Sequence, residues 1–263
     1  TSGTTRGRSG RHHVADLRLY RRARGPTFRR HVLPDRARIR MAILAPRPEE
    51  APTSSLSYML GALAEDFGEG ETPFLVTGGD LDHVALASFL ASAREPVLLF
   101  GTSFAFVHAL ERLAPVRLPQ GSRIVDTGGY KGRSRALARE EFHPEIERAF
   151  GVGERHVVSE YGMTELSSQF YDRHLALGGP GGVKSGGPWA RVRIVDPVTL
   201  EERAPGEPGL VAILDLLNLW SVSSILTGDV GVQRAGGFEV LGRAAEAGSR
   251  GCSIAADEAL GGR

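Results

Sequence analysis

The apolar positions along the chain follow two successive patterns. Up to about residue 172, short runs of aliphatic and β-branched residues alternate with longer segments whose apolar residues recur at helical spacing. Strands that alternate with helices in this way predict a parallel α/β sheet. The predicted strands are residues 38–45, 97–100, 123–126 and a run ending at Val158, and the predicted helices are residues 13–23, 57–67, 81–93, 103–113 and 145–150.

The pattern changes after residue 175. A glycine-rich loop at residues 178–182 precedes short alternating segments at residues 190–196, 210–214, 230–233 and 238–241, which Pro/Gly turns separate. Such segments are typical of antiparallel strands. We therefore expect an α/β part over residues 1–175, a small antiparallel β-subdomain over residues 176–241, and a hinge with the start of a C-terminal segment over residues 242–263.

Composition narrows the class of protein. The 263 residues are 41% hydrophobic and 24% charged, which is typical of a soluble globular chain, and the net charge of +1 gives no argument for a nucleic-acid partner. No apolar run reaches the length of a membrane span. Cys252 is the only cysteine, so no intrachain disulfide can form. This suits a reducing cytoplasm, where we expect the protein to act.

Three loops carry residue types that suit a nucleotide. The first, Thr1-Ser2-Gly3-Thr4-Thr5, combines small residues that let a backbone curl around phosphate with hydroxyl donors. A flexible linker is the alternative interpretation of its composition. The second loop follows the strand at 123–126 and contains Gly128, Gly129 and Tyr130, which combine close backbone approach with a flat aromatic face.

The third loop follows the strand that ends near Val158. Its order of residues predicts a strand, a break at Gly162 and a helix that begins at Thr164, and the free N–H groups of a helix start favour phosphate. Tyr161 would face a base, Thr164 would bond a phosphoryl oxygen and Glu165 would hold Mg²⁺. An ordinary strand-to-helix turn with solvated polar residues is the alternative.

The order of these loops, followed by Thr227-Gly228-Asp229 and Leu241-Gly242-Arg243, resembles the adenylate-forming superfamily of acyl-CoA synthetases, luciferases and adenylation domains. The extended motif at residues 159–172, with those at 100–104 and 126–133, is similar to the acyl-protein synthetase branch, the LuxE-type long-chain-fatty-acid–protein ligases. The resemblance implies the large α/β domain of that fold, followed by a small antiparallel β-subdomain. It also implies that a part before Thr1 and a mobile C-terminal domain are missing from this sequence.

The resemblance implies that a carboxylic acid, such as a fatty acid, attacks the α-phosphate of ATP and that the acyl group then passes to a thiol. Thr1 to Thr5 would cradle the triphosphate, and Gly128, Gly129 and Tyr130 would form a wall of the adenine site. Tyr161 would stack on adenine, within a nucleotide-contacting loop that includes Gly162 and Met163. Thr164 would bond the α-phosphate, and Glu165 would hold Mg²⁺. Asp229 would accept hydrogen bonds from the ribose hydroxyls, and Arg243 would reach ribose or phosphate.

The sequence departs from the superfamily pattern at both ends. Arg6 and Ser9 stand where most members have Gly and Lys, and Arg8 or Arg11 would have to supply the positive charge. No lysine follows Lys184, so the catalytic lysine of the C-terminal domain has no counterpart here. Cys252 is a candidate acyl acceptor, because the protein-acylating branch uses a cysteine near its C-terminus. The alternative is an inert thiol in a buried strand.

Three functions remain open from the sequence. The first is an ATP- and Mg²⁺-dependent acid–thiol ligase that acylates a protein cysteine, and the second passes the acyl group to coenzyme A or a carrier protein instead. The third is a truncated homologue that binds nucleotide without turnover. Two of the site assignments have alternatives without function: Asp229 would be a plain turn residue, and Arg243 would be a solvated surface charge.

Overall fold

The computed structural model describes residues 12–128 and 139–244. The helices are α1 (Leu17–Val32), α2 (Ser55–Phe67), α3 (His83–Ala91), α4 (Ser103–Arg112), α5 (Arg139–Phe150) and α6 (His174–Leu177), with a 3₁₀ turn at Glu154–His156. The strands are β1 (Arg40–Leu44), β2 (Val76–Thr77), β3 (Asp80–Leu81), β4 (Val97–Thr102), β5 (Arg123–Thr127), β6 (Val157–Tyr161), β7 (Phe170–Asp172), β8 (Lys184–Ser185), β9 (Ala190–Val195), β10 (Pro208–Asp215), β11 (Ser224–Arg234) and β12 (Gly237–Arg243).

Ten of the strands form one sheet in the order β1-β4-β5-β6-β7-β8-β12-β11-β10-β9, and β2 and β3 form a separate hairpin. The pairings among β1, β4, β5 and β6 are parallel, and every later pairing is antiparallel. The predicted fold class, a parallel α/β part followed by antiparallel strands, is confirmed. The two parts are continuous through β6, β7 and β8. Within the described residues, no helix is both long enough and apolar enough to cross a membrane.

Helices cover both faces of the parallel part. Strand residues alternate between the faces with a period of two, so Leu98 and Phe100 pack with the core of α1 and α2, whereas Val97 and Leu99 pack with that of α3, α4 and α5. All four side chains are fully buried. Burial on both faces explains why β4 begins as a continuous apolar run rather than an alternating one.

Helix α1 differs from the sequence prediction of residues 13–23. It begins at Leu17, because the Asp16 carboxylate caps it by accepting the Arg18 amide at 2.9 Å, and it continues past Pro26 to Val32. Proline inside a helix removes a backbone hydrogen bond. The helix persists because Phe28, which is fully buried, packs among aromatic rings of α2, β4 and β7.

A buried ion pair lies where the sheet changes from parallel to antiparallel pairing. Lys184 Nζ on β8 donates to Asp172 Oδ1 on β7 at 2.7 Å, and Asp172 Oδ2 accepts the Ser159 amide of β6 at 3.2 Å. The Asp172 side chain is fully buried and that of Lys184 is 9% exposed. Next to them, His31 Nε2 of α1 lies 2.8 Å from Ser185 Oγ. These contacts hold β6, β7, β8 and α1 together.

We predict that Lys184→Met destabilises the protein by about 3–5 kcal/mol, because it leaves the Asp172 carboxylate buried without its cation. The free energy of unfolding from urea titration measures this. Arg193→Met on β9 is the matched control, since Arg193 pairs with Glu202 on the surface, with both side chains nearly half exposed. It should cost less than about 1 kcal/mol. Equal losses in the two variants would contradict a special role for the buried pair.

Candidate active site

The candidate site lies at the carboxyl end of the parallel strands, where ligands bind in open α/β sheets. Here the Ser103 hydroxyl, at the start of α4, lies 3.0 Å from Asp126 Oδ2 and 2.9 Å from the Gly128 carbonyl oxygen. Gly128 has a φ of +81°, a conformation that side chains other than glycine rarely adopt. The loop after β5 therefore starts with Gly128 because the backbone there needs a positive φ, and Ser103 holds this loop to α4.

The loop after β6 does not lead into a helix, and the predicted helix start at Thr164 is wrong. Thr164 and Glu165 lie in a turn, in which the Leu166 amide donates to the Met163 carbonyl at 3.0 Å, and the chain then enters antiparallel strand β7. A helix is prevented because the Ser167 and Ser168 amides bond the buried Asp215 carboxylate instead of helical carbonyls.

Three predicted site residues from separate motifs meet around one carboxylate. The Tyr161 hydroxyl at the end of β6 donates to Asp229 Oδ2 at 2.8 Å, and Arg243 Nε on β12 lies 3.2 Å from Asp229 Oδ1. Asp229 and Arg243 are cross-strand partners on β11 and β12. Asp229 therefore lies in a strand and not in a plain turn, and Arg243, although its side chain is 47% exposed, is paired with Asp229. We call these three residues the Asp229 cluster.

Tyr161 is held on one side by aromatic packing. Its ring meets Phe238 nearly edge-on at 5.8 Å between centroids, and Phe170 lies at 6.3 Å. Burial, together with the neighbouring Asp229 charge, raises the pKa of the Tyr161 hydroxyl well above its ordinary value. The hydroxyl therefore stays protonated and donates to Asp229 throughout the physiological pH range.

Thr164 and Glu165 are half-buried and reach the surface of the site. Thr164 Oγ1 lies 3.1 Å from Ser55 Oγ at the start of α2, so the turn is tied to the first half of the chain. Within the described ranges, no group of three or more metal-ligating side chains occurs. Glu165 fits Mg²⁺ as a lone carboxylate, since this ion commonly takes one or two protein carboxylates and completes its shell with water and substrate phosphate.

Several predicted residues lie outside the described ranges: Thr1, Ser2, Gly3, Thr4, Thr5, Gly129, Tyr130 and Cys252. Their assignments stay predictions. Gly162 and Met163 lie in the loop between the Asp229 cluster and Thr164, and Met163 packs against the apolar core of the antiparallel strands. A Cβ at Gly162 would require the end of the Glu160 side chain to shift.

Sequence reasoning missed the residues that support the site: Ser55, Thr127, Glu160, Asp215 and Asn218. Asp215 and Asn218 had a detectable signal, because they are polar residues within an otherwise apolar run over residues 209–219. Ser55 had none, since it is one hydroxyl among several before a helix. Contacts between residues so distant in sequence depend on the tertiary fold.

Glu160 and Asp126 bring two carboxyl groups into the interior beneath the site. The Thr127 hydroxyl donates to Glu160 Oε2, and the Ser159 hydroxyl donates to Asp126 Oδ1 at 2.7 Å. Burial raises the pKa of Glu160 to about 7 and also raises the pKa of Asp126. Glu160 is therefore largely protonated below neutral pH.

The raised pKa predicts a pH-dependent stability. Between pH 4.5 and 7 the folded state keeps a proton on Glu160 that the unfolded state releases. The contribution of Glu160 to the free energy of unfolding therefore falls by roughly 3 kcal/mol over this range and then levels off. Glu160→Gln removes this slope. The stability of Glu160→Gln relative to wild type, from urea titration, should rise from pH 5 to pH 8. A difference that does not change with pH would contradict the prediction.

Comparison with solved structures shows which fold the chain shares. It matches ATP-bound MatB from Rhodopseudomonas palustris with a TM-score of 0.56 at 18% identity, covering 83% of this chain and 42% of that one. O-succinylbenzoate coenzyme A synthetase (MenE) from Bacillus subtilis, in complex with ATP and magnesium, matches with a TM-score of 0.51 at 18% identity, covering 78% and 42%. The long-chain-fatty-acid-CoA ligase FadD1 from Archaeoglobus fulgidus matches with a TM-score of 0.55 at 13% identity, covering 81% and 45%.

The chain thus spans less than half the length of these structures, and at such identities the likeness concerns the fold alone. No curated protein gives a significant match. A family model described as "Acyl-protein synthetase, LuxE" matches residues 82–261, which is more than half of the chain and includes the third loop and the Asp229 cluster. The chain therefore belongs to the LuxE acyl-protein synthetase family.

Proposed function

We propose that this chain forms the nucleotide- and acid-activating part of an acid–thiol ligase, which uses ATP and Mg²⁺ to convert a carboxylic acid to an acyl-adenylate. The observation that carries the proposal is the Asp229 cluster, in which Tyr161, Asp229 and Arg243 from three separate motifs meet. Thr164 and Glu165 follow Tyr161 in the same loop. Family membership and the ATP-bound structures of the same fold support it.

Each residue has a chemical task in this proposal. Negative charge builds on the oxygens of the α-phosphate as the substrate carboxylate attacks, and the Thr164 hydroxyl donates a hydrogen bond there. Asp229 accepts hydrogen bonds from the ribose. A carboxylate offers about four acceptor sites, so the two contacts from Tyr161 and Arg243 leave capacity for a ligand.

Tyr161 and Arg243 fix the Asp229 carboxylate before the nucleotide arrives, which lowers the cost of ordering it on binding. In the proposal, the ring of Tyr161 lies against adenine and Glu165 holds Mg²⁺. When bound, the ion supplies positive charge that offsets the charge of the phosphates. Gly128 would let the backbone of the second loop approach the base closely.

We propose a thiol as the final acceptor and a fatty acid as the acid, following the LuxE family. The adenylate is a mixed anhydride, so thiolate attack on its carbonyl carbon forms a thioester and releases AMP. Cys252 is the candidate acceptor within the chain. Mass spectrometry after incubation with ATP and fatty acid separates the acceptors: acyl mass on Cys252 supports self-acylation, and acyl mass on added coenzyme A supports the alternative.

We predict that the full-length protein catalyses exchange of labelled pyrophosphate into ATP only when a suitable carboxylic acid is present. Thr164→Ala should lower the exchange rate about 100- to 1000-fold, as expected for a lost donor to a developing negative charge. Glu165→Ala should raise the Mg²⁺ concentration needed for half-maximal exchange.

Thr199→Ala and Glu202→Ala are the matched controls. Both residues lie in the exposed connection between β9 and β10, so both variants should retain wild-type exchange. Exchange that survives Thr164→Ala and Glu165→Ala unchanged would refute the site assignment. Measurable ATP binding without exchange for any acid would favour a nucleotide-binding homologue without turnover.

A further inference from the structure

The loop over residues 162–169 is held by a buried carboxylate outside the predicted nucleotide-contacting set. Asp215, the last residue of β10, is fully buried. Its Oδ2 atom accepts the Ser167 and Ser168 amides at 2.9 and 2.8 Å, and its Oδ1 atom accepts the Ser168 hydroxyl at 2.8 Å and the Leu217 amide at 3.0 Å. All four donors are backbone amides or a hydroxyl.

Burial of a polar side chain is costly unless hydrogen bonds offset that cost. Asp215 meets this need by accepting two consecutive amides of a segment that has no strand ladder partners of its own. The carboxylate therefore substitutes for secondary structure at the one place where the chain turns from β6 to β7.

Asn218, three residues further on, completes the anchor. Its Nδ2 atom donates to the Glu165 carbonyl at 2.8 Å, and its Oδ1 atom accepts the Ser167 hydroxyl at 2.6 Å. Asn218 is itself buried. The main chain of Glu165 is thus fixed through its carbonyl, and Ser167 and Ser168 are fixed by Asp215.

We propose that Asp215 and Asn218 are positioning residues for the ATP-dependent reaction. They hold the backbone of Glu165, and through it the Thr164 hydroxyl and the Glu165 carboxylate, at the places where the phosphate and the metal are bound. The inference rests on the proposed function. Both residues lie at the turn between β10 and β11, outside the three loops predicted from the sequence to bind the nucleotide.

Two variants test the anchor. Asp215→Asn turns an acceptor of four hydrogen bonds into a group with one acceptor atom. Asn218→Asp removes the Nδ2 donor to the Glu165 and Val222 carbonyls and keeps an acceptor for the Ser167 hydroxyl. We expect each variant to lower the pyrophosphate exchange rate about 10- to 100-fold, as for residues that orient metal ligands, and to raise the half-maximal Mg²⁺ concentration. Hydrogen exchange should show faster exchange of the Ser167 and Ser168 amides in Asp215→Asn.

Asp196→Asn is the control. The Asp196 carboxylate also accepts two consecutive amides, those of Val198 and Thr199 at 2.8 and 2.9 Å, but in the turn between β9 and β10. It should leave exchange rate and Mg²⁺ response unchanged.

The possible failures are distinguishable. If the wild type is active, and both Asn218→Asp and Asp215→Asn fold and respond to Mg²⁺ as the wild type does, only the positioning role is overturned. If Asp215→Asn does not fold, Asn218→Asp, which keeps the shape of the side chain, decides the outcome. A wild type without any acid-dependent exchange would overturn the proposed function, and the positioning role with it.

Discussion

The buried Asp172–Lys184 pair is the contact on which the rest of the arrangement depends. It lies where parallel pairing gives way to antiparallel pairing, and Asp172 also bonds the Ser159 amide of β6. A buried ion pair is weak evidence of stability by itself, but loss of one partner is costly. The pair therefore fixes how the two parts of the sheet meet. That junction brings the loop after β6 to the strands that carry Asp229 and Arg243.

Two further carboxylates, on the antiparallel strands β10 and β11, hold the loop after β6 by hydrogen bonds. Asp229 holds Tyr161, the residue before the loop, through its hydroxyl, and Asp215 holds the end of the loop through the Ser167 and Ser168 amides. Thr164 and Glu165 lie between these anchors. A loop without ladder bonds is thus fixed at both ends, and Thr164 and Glu165 at its centre are half-buried. Such an arrangement would suit the proposed reaction, because polar groups that are already oriented need not reorganise during it.

Much of the fold followed from the sequence, because burial on both faces makes β1 and β4 readable as apolar runs that alternate with helices. The order of motifs predicted the family, and Asp229 and Arg243 were predicted by motif although they lie 14 residues from each other and far from Tyr161. The helix at Thr164 was wrong, because side-chain acceptors on β10 captured the amides that a helix would use. Asp215, Asn218 and Ser55 were not predicted, since their partners are distant in sequence and only the tertiary fold brings them together.

In the proposed reaction, an acid carboxylate attacks the α-phosphate of ATP at this site. An acid labelled with ¹⁸O in its carboxylate tests it directly, with the full-length protein, ATP, Mg²⁺ and a thiol acceptor or hydroxylamine. Since the attacking oxygen stays on phosphorus when the acyl group leaves, mass spectrometry should find a single labelled oxygen in AMP and none in pyrophosphate. Label in inorganic phosphate with formation of ADP, or AMP without label, would contradict the account.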